Sequence, residues 1–133
     1  MTTFPSRTLS VTINRAWTAV YDYASDPANL THWAAGLGTE FAHTGEDWTF
    51  RTPGGDPVRM RFTEQNEHGV LDHDVILADR IVHVPLRVMP NGDGAEVSFL
   101  LLQTPDLSDA DLERDAAAVQ QDLDTLKRLL EAP

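Results

Sequence analysis

Cysteine is absent from this 133-residue sequence, and lysine occurs only once, at Lys127. Without cysteine the chain forms neither a disulfide nor a thiolate metal site, and it has no cysteine nucleophile. No apolar run approaches the roughly 20 residues that span a membrane, and no basic stretch followed by an apolar one resembles an export leader. From these absences we expect a cytoplasmic protein that is not inserted in a membrane.

Acidic residues outnumber basic ones, with 21 Asp and Glu against 10 Lys and Arg, and the formal net charge is −11. Such a surface repels phosphate backbones and anionic membranes, so nucleic acid is not an expected partner. Much of the acid lies in the last third of the chain, at Asp106, Asp109, Asp111, Glu113, Asp115, Asp122 and Asp124. We interpret it as a solvated helix face, and an acidic docking surface for a basic partner is the alternative.

The first part of the chain predicts one strand followed by two short helices. Residues 8–13 alternate between apolar and polar side chains, which is typical of a half-buried strand. Asn14 is the predicted N-cap of a first helix with an apolar stripe. Asp26 is the predicted N-cap of a second helix, with proline at its first position, and this helix is predicted to end at Gly36.

From residue 39 to residue 104 the apolar residues recur with a period of two, which predicts six strands separated by turn sequences. Asn91 and Gly92 give the clearest turn signal, because a type I′ hairpin turn needs positive φ at both central residues. With the strand over residues 8–13, the sheet is predicted to have seven antiparallel strands. Pro85 falls inside one of them, where its missing N–H predicts a bulge or irregular pairing.

A long amphipathic helix closes the sequence. Ser108 is its predicted N-cap, and Asp111 takes the N3 position of a capping box. Apolar residues then follow at alternating spacings of four and three, which predicts one buried stripe. The stripe comprises Leu112, Ala116, Val119, Leu123, Leu126 and Leu130. Because the chain shows neither repeats nor linkers, residues 1–133 are predicted to form one α+β domain.

The turns also predict which strand residues share a face, since the apolar faces of neighbouring strands must coincide. They place six residues in one row on the inner face: Phe41, Phe50, Met60, His73, Val84 and Phe99. Asp72 and Asp74 flank His73 in the sequence and therefore point to the opposite face, where Asp74 is predicted to lie opposite His83. The Asp-His-Asp sequence is therefore not predicted to work as a catalytic dyad.

Several segments of the chain are similar to a known superfamily, namely DPANLTHWAAGL, GVLDHDV, VPLRVMPNGDGAEVSF and DLDTLKRLL. They resemble the START/birch-pollen-allergen superfamily (SRPBCC), and within it a bacterial polyketide cyclase/dehydrase-like branch. The resemblance implies a helix-grip fold, in which a curved antiparallel sheet wraps around the final helix. It also implies a cavity between the sheet and that helix, whereas an activity does not follow from the fold.

His73 is the titratable side chain in the predicted inner row, and three roles are open to it. It is a core histidine with a satisfied hydrogen bond, a polar anchor for a ligand, or a general acid/base. A metal site is not predicted, because His43 and His73 fall in different rows and strands and Glu64 is the one obvious inward acid. No organic cofactor is expected either.

Three functions are compatible with this pattern. The first is binding of a small, mainly hydrophobic or aromatic molecule that His73 orients. Its predicted contacts are Trp33, Phe41, His43, Trp48, Phe50, Met60, Phe62, His73, Phe99 and Leu123, with Met89 as a further adaptable side chain. The second is a cofactor-independent cyclase, dehydratase or isomerase that uses His73 as its catalytic acid/base. The third is a protein-interaction module with a closed cavity, and a homodimer also stays open.

Overall fold

The computed structural model describes residues 2–35 and 38–133. Within them it contains the helices α1 (Trp17–Ala24), α2 (Leu30–Trp33) and α3 (Asp109–Glu131), and a 3-10 helix at Pro27–Asn29 directly before α2. The strands are β1 (Ser6–Ile13), β2 (Thr39–Thr44), β3 (Asp47–Arg51), β4 (Pro57–Phe62), β5 (His73–Ile76), β6 (Ile81–Val84), β7 (Leu86–Asn91) and β8 (Gly94–Leu102).

The strands form two antiparallel sheets, ordered β1-β8-β7 and β2-β3-β4-β5-β6, so the prediction of one seven-stranded sheet is corrected. The division occurs at Pro85, which separates β6 from β7 because proline has no N–H to continue the hydrogen-bond ladder. The Pro85 carbonyl still accepts a hydrogen bond from Leu100 N at 3.0 Å. The irregular pairing predicted at this proline is therefore confirmed.

The connection between β4 and β5 joins the two sheets. The backbone N–H of Leu71 donates to the Leu86 carbonyl at 2.8 Å, and that of Val88 donates to the Gly69 carbonyl at 2.9 Å. Gly69 has a φ of +73°, and a Cβ at this position would collide with the Val88 carbonyl oxygen. Glycine is therefore required where this connection approaches β7.

The short helices begin only partly where the sequence predicts. The Asp26 carboxylate accepts a hydrogen bond at 3.0 Å from the backbone N–H two residues further on, which confirms the predicted N-cap. The cap predicted at Asn14 is wrong, because α1 begins at Trp17 without a side-chain cap. The backbone N–H of Asn14 instead donates to the Glu131 carboxylate at 2.7 Å. The helix end predicted at Gly36 lies outside the described residues.

The closing helix α3 matches its prediction closely. Ser108 Oγ accepts from the backbone N–H of Asp111 at 3.1 Å, which confirms the N-cap. Five members of the predicted apolar stripe are buried and Val119 is half-buried, and the helix packs against β1 and α2. Among the helices of the described residues, none is both long enough and apolar enough to cross a membrane.

The strand register keeps the predicted faces but changes several predicted partners. His73 pairs with Val84 as predicted, whereas its other neighbour is Phe62 rather than Met60. The other changed pairs are Phe50–Val58 and Phe99–Leu86. Each change is a slip of two residues, which leaves every side chain on its predicted face. Met89 is a separate correction: it is 40% exposed and does not line the interior.

Candidate functional site

A cavity of about 490 Å³ lies between the concave face of the strands and α3. Helices α1 and α2 and the loop after β3 contribute the rest of the wall. Its lining residues are Ala24, Leu30, Trp33, Ala34, Thr52, Pro53, Met60, Phe62, Leu71, His73, Val75, Val84, Leu86, Phe99, Leu101, Arg114, Asp115, Ala118, Val119, Asp122 and Leu123. The wall is therefore mainly apolar, and its charged groups all come from α3.

Six of the predicted contact residues lie on this wall, namely Trp33, Met60, Phe62, His73, Phe99 and Leu123. They come from α2, β4, β5, β8 and α3, so the fold brings together side chains that are distant in the sequence. Met60 is completely buried, so it lies deep in the cavity wall and away from the cavity opening.

The other four predicted contacts, Phe41, His43, Trp48 and Phe50, lie outside the lining of the cavity. Phe50 is buried in the core and stacks on Phe41, with ring centroids 5.4 Å apart. His43 is exposed and stacks on Trp48 at 5.0 Å. An irregularity between β2 and β3, where Glu40 has a φ of 58°, shifts the register of this edge.

His73 has a defined hydrogen bond and a buried position. Its side chain is 7% exposed, and its Nδ1 lies 3.1 Å from the carbonyl oxygen of Leu71. The ring of Phe62 lies beside it, at a centroid distance of 5.3 Å. Burial lowers the pKa of His73 below its ordinary value, and the hydrogen bond to Leu71 opposes this shift without cancelling it. The ring is therefore neutral at neutral pH.

The two aspartates beside His73 are engaged on the opposite, convex face. Asp72 accepts two hydrogen bonds from Arg87, at 2.8 and 2.9 Å, and one from the backbone N–H of Leu86 at 3.0 Å. These donors, the Arg87 guanidinium first, lower the pKa of Asp72. Asp74 lies opposite His83, as predicted, with 2.8 Å between Oδ1 and Nδ1. Neither aspartate orients His73.

A further carboxylate on the convex face is paired in the same way. Asp47 is 5% exposed and accepts hydrogen bonds from Arg61 at 2.7 Å and from Arg59 at 3.0 Å. The hydrogen bond from Arg61 is the main reason that the pKa of Asp47 is lowered. These three carboxylates of the convex face are therefore paired with basic side chains, which is a structural arrangement.

Sequence reasoning missed the charged residues that α3 contributes to the cavity. Asp115 and Asp122 are seven residues apart and so lie on one side of the helix, beside the half-buried Val119. Loss of hydration raises the pKa of Asp115, nearby Asp111 raises it further, and Arg114 opposes the shift. The available signal was the position of both aspartates next to the apolar stripe, which a solvated-face interpretation overlooks.

The indole N–H of Trp33 is another polar group among the residues that line the cavity. It is covered by protein atoms and has no hydrogen-bond partner within residues 2–35 and 38–133. A molecule in the cavity does not reach it in this conformation.

Among the titratable side chains in the described ranges that line the cavity, that of His73 is the buried one. No group of three or more His, Asp or Glu side chains in the described part of the chain is arranged to hold a metal ion.

Residues 5–131 match the family model described as polyketide cyclase / dehydrase and lipid transport. The chain belongs to this family. The match spans nearly the whole chain and confirms the superfamily resemblance carried by the local sequence segments. No protein with a curated description matches the chain.

Solved structures share the helix-grip fold with this chain at low sequence identity. The Aha1 dimer from Colwellia psychrerythraea has a TM-score of 0.76 at 13% identity, covering 96% of each chain. An uncharacterized protein from Bacillus thuringiensis has a TM-score of 0.75 at 13% identity, covering 96% of this chain and 100% of that one. CalU16 from Micromonospora echinospora has a TM-score of 0.67 at 16% identity, covering 95% and 74%. At these identities the likeness establishes the fold alone.

Proposed function

We propose that the protein binds a small, mainly hydrophobic molecule in the cavity between the concave sheet face and α3. The observation that carries this proposal is an apolar cavity of about 490 Å³ with one buried histidine in its wall. Ligand pockets typically enclose about 300–1,000 Å³ and combine apolar walls with a few polar groups that orient the ligand. A cytoplasmic location and a homodimer stay predictions from the sequence.

A thermal-unfolding screen tests this proposal, with aromatic polyketides, sterols, fatty acids and phenolics as the panel. A ligand at a hundred times its dissociation constant stabilises the native state by about 2.7 kcal/mol. For a chain of this length the expected rise in Tm is on the order of 10 °C. The rise should depend on ligand concentration and saturate.

Two neighbouring alanines of α3 provide a matched control. Ala118 lines the cavity, whereas Ala117 is exposed. Ala118→Trp should fill the cavity and abolish the ligand-dependent rise in Tm, and Ala117→Trp should preserve it. An equal rise in both variants would contradict binding in the cavity, and no rise with any member of the panel would favour the interaction module.

Catalysis is a second candidate, and the shared wall position of His73 and Asp115 favours it. A neutral imidazole can accept a proton, and loss of hydration raises the pKa of the Asp115 carboxyl, so the cavity wall has two groups that can transfer protons. The reaction type we propose is a cofactor-independent cyclisation, dehydration or isomerisation. Turnover that is lost in His73→Phe while ligand binding persists would establish it.

A further inference from the structure

The tautomer of His73 follows from its hydrogen bond to Leu71. A carbonyl oxygen only accepts hydrogen bonds, so Nδ1 must carry the proton that is shared at 3.1 Å. In a neutral ring the other nitrogen, Nε2, then carries a lone pair and is an acceptor. No residue in the described ranges donates a hydrogen bond to this atom. Because the ring lines the cavity, its donor must come from whatever fills that space.

We propose that the ligand carries an uncharged hydroxyl group that donates a hydrogen bond to Nε2 of His73; this inference rests on the proposed binding function. Ethers, ketones and carboxylates have no proton to give and leave the lone pair unsatisfied. An ammonium group is a donor, but the apolar surroundings of Phe62, Met60 and Val84 make a buried charge costly. A hydroxyl satisfies both requirements.

The wall contributed by α3 acts against an acidic ligand independently of His73. Asp115 and Asp122 both line the cavity, two helical turns apart on one side of the helix. Arg114 also lines it, but its guanidinium forms an ion pair with Asp111 at 3.1 Å. A carboxylate entering the cavity would therefore meet the carboxylate of Asp115 on α3 and an acceptor at His73. Fatty acids and aromatic acids are expected to be poor ligands.

Three aromatic probes of similar size separate these possibilities: 2-naphthol, 2-methoxynaphthalene and 2-naphthoate. Dissociation constants are measured by calorimetry at pH 7 for the wild type, His73→Phe and His83→Phe. The last is a matched control, because it makes the same chemical change at an exposed position on the convex face. Circular dichroism establishes that each variant is folded.

In the wild type, 2-naphthol should bind about tenfold more tightly than its methyl ether, the effect of one hydrogen bond in a dry site. The ratio should fall to about one in His73→Phe and stay at about ten in His83→Phe. The naphthoate should bind weakest in the wild type. These three results together support a hydroxylated ligand.

Equal wild-type affinities for the naphthol and its ether would overturn the hydroxyl inference and leave the binding function intact. A preference for the naphthol that persists in His73→Phe would overturn it as well. The wild-type comparison needs no variant, so equal affinities overturn the inference even where His73→Phe does not fold. Binding of none of the probes would count against the cavity as a binding site, and the inference would fall with it.

Discussion

The two faces of the sheet at residues 72–74 differ in how their polar side chains find hydrogen-bond partners. On the convex face Asp72 has three hydrogen-bond donors and Asp74 has His83, so each carboxylate is satisfied within the protein. On the concave face His73 has a partner for one ring nitrogen, the Leu71 carbonyl, while the ring borders a cavity. The difference separates carboxylates that are satisfied within the protein from a histidine ring whose second nitrogen has no hydrogen-bond donor among the described residues.

This contrast also shows why adjacent residues in a strand should be interpreted separately. Asp72 and Asp74 place two negative charges next to His73 in the sequence, yet their side chains project from the opposite face of the sheet. Their measurable contributions should be to stability. That of His73 should be to ligand binding and to the pH dependence of stability.

The largest expected effect compares neighbouring residues of β4. Met60 is completely buried, whereas the neighbouring Arg59 projects from the convex face and pairs its exposed guanidinium with Asp47. Met60→Ala should reduce the free energy of unfolding by about 2–5 kcal/mol. Arg59→Ala should cost only a small fraction of that, because Arg61 still binds Asp47. Urea unfolding of both variants measures the difference. Similar losses in the free energy of unfolding would contradict the expected difference between the two faces.

An intermediate effect is expected from acid. The pKa of His73 is lowered in the folded state, so below the ordinary value of 6.5 the unfolded chain binds the proton more readily. The stability that the neutral ring contributes is complete above that pH and is lost as the pH falls through it. The free energy of unfolding should fall by up to about 1.4 kcal/mol per pH unit in this window.

Replacing the histidine tests the source of this pH dependence. His73→Phe should flatten the slope below pH 6.5, whereas His83→Phe should keep most of it, because burial is the main cause of the lowered pKa of His73. The lowered pKa values of Asp47 and Asp72 act in a different window, since their stabilisation is lost only below about 3.8. Denaturant unfolding at a series of pH values measures the slope. A slope that is unchanged in His73→Phe would assign it to other groups.

The smallest effect compares the two aspartates themselves. The Asp72 side chain is 13% exposed and receives three hydrogen bonds, whereas that of Asp74 is 42% exposed and contacts a single histidine. Asp72→Asn should cost about 1 kcal/mol at pH 7, because the charged hydrogen bonds to Arg87 are lost. Asp74→Asn should change stability by less than about 0.5 kcal/mol. Thermal unfolding distinguishes the two, and a reversed order would show that the exposed pair is the stronger one.

Strand alternation predicted the faces well because its period is two. The turn near Asn91 illustrates this: Asn91 pairs with Gly94, so Gly92 and Asp93 are the central residues, one position later than predicted. Moving a turn by one residue moves the paired strand by two, which returns each side chain to its original face. The burial of His73 could therefore be predicted although one of its cross-strand neighbours could not.

The extent of the cavity could not be predicted in the same way. Apolar alternation identifies an inner face, but it does not show where helices pack on that face and where they leave a space. Phe50 and Phe62 are both inward residues, and only Phe62 borders the cavity. Conversely, Asp115 and Asp122 belong to the acidic pattern of an exposed helix, and only the packing angle of α3 brings them to the cavity.

The division of the strands into two sheets has a consequence for the order in which the molecule forms. The five-stranded sheet is a succession of hairpins between strands that are neighbours in the sequence. In the three-stranded sheet, by contrast, Thr8 pairs with Leu100. Short loops close faster than long ones, so the hairpins can form while the chain leaves the ribosome. Strand β1 can pair only after β8 has been synthesised. Helix α3 follows β8 and closes the cavity, so we expect the cavity to be the last part of the molecule to be assembled.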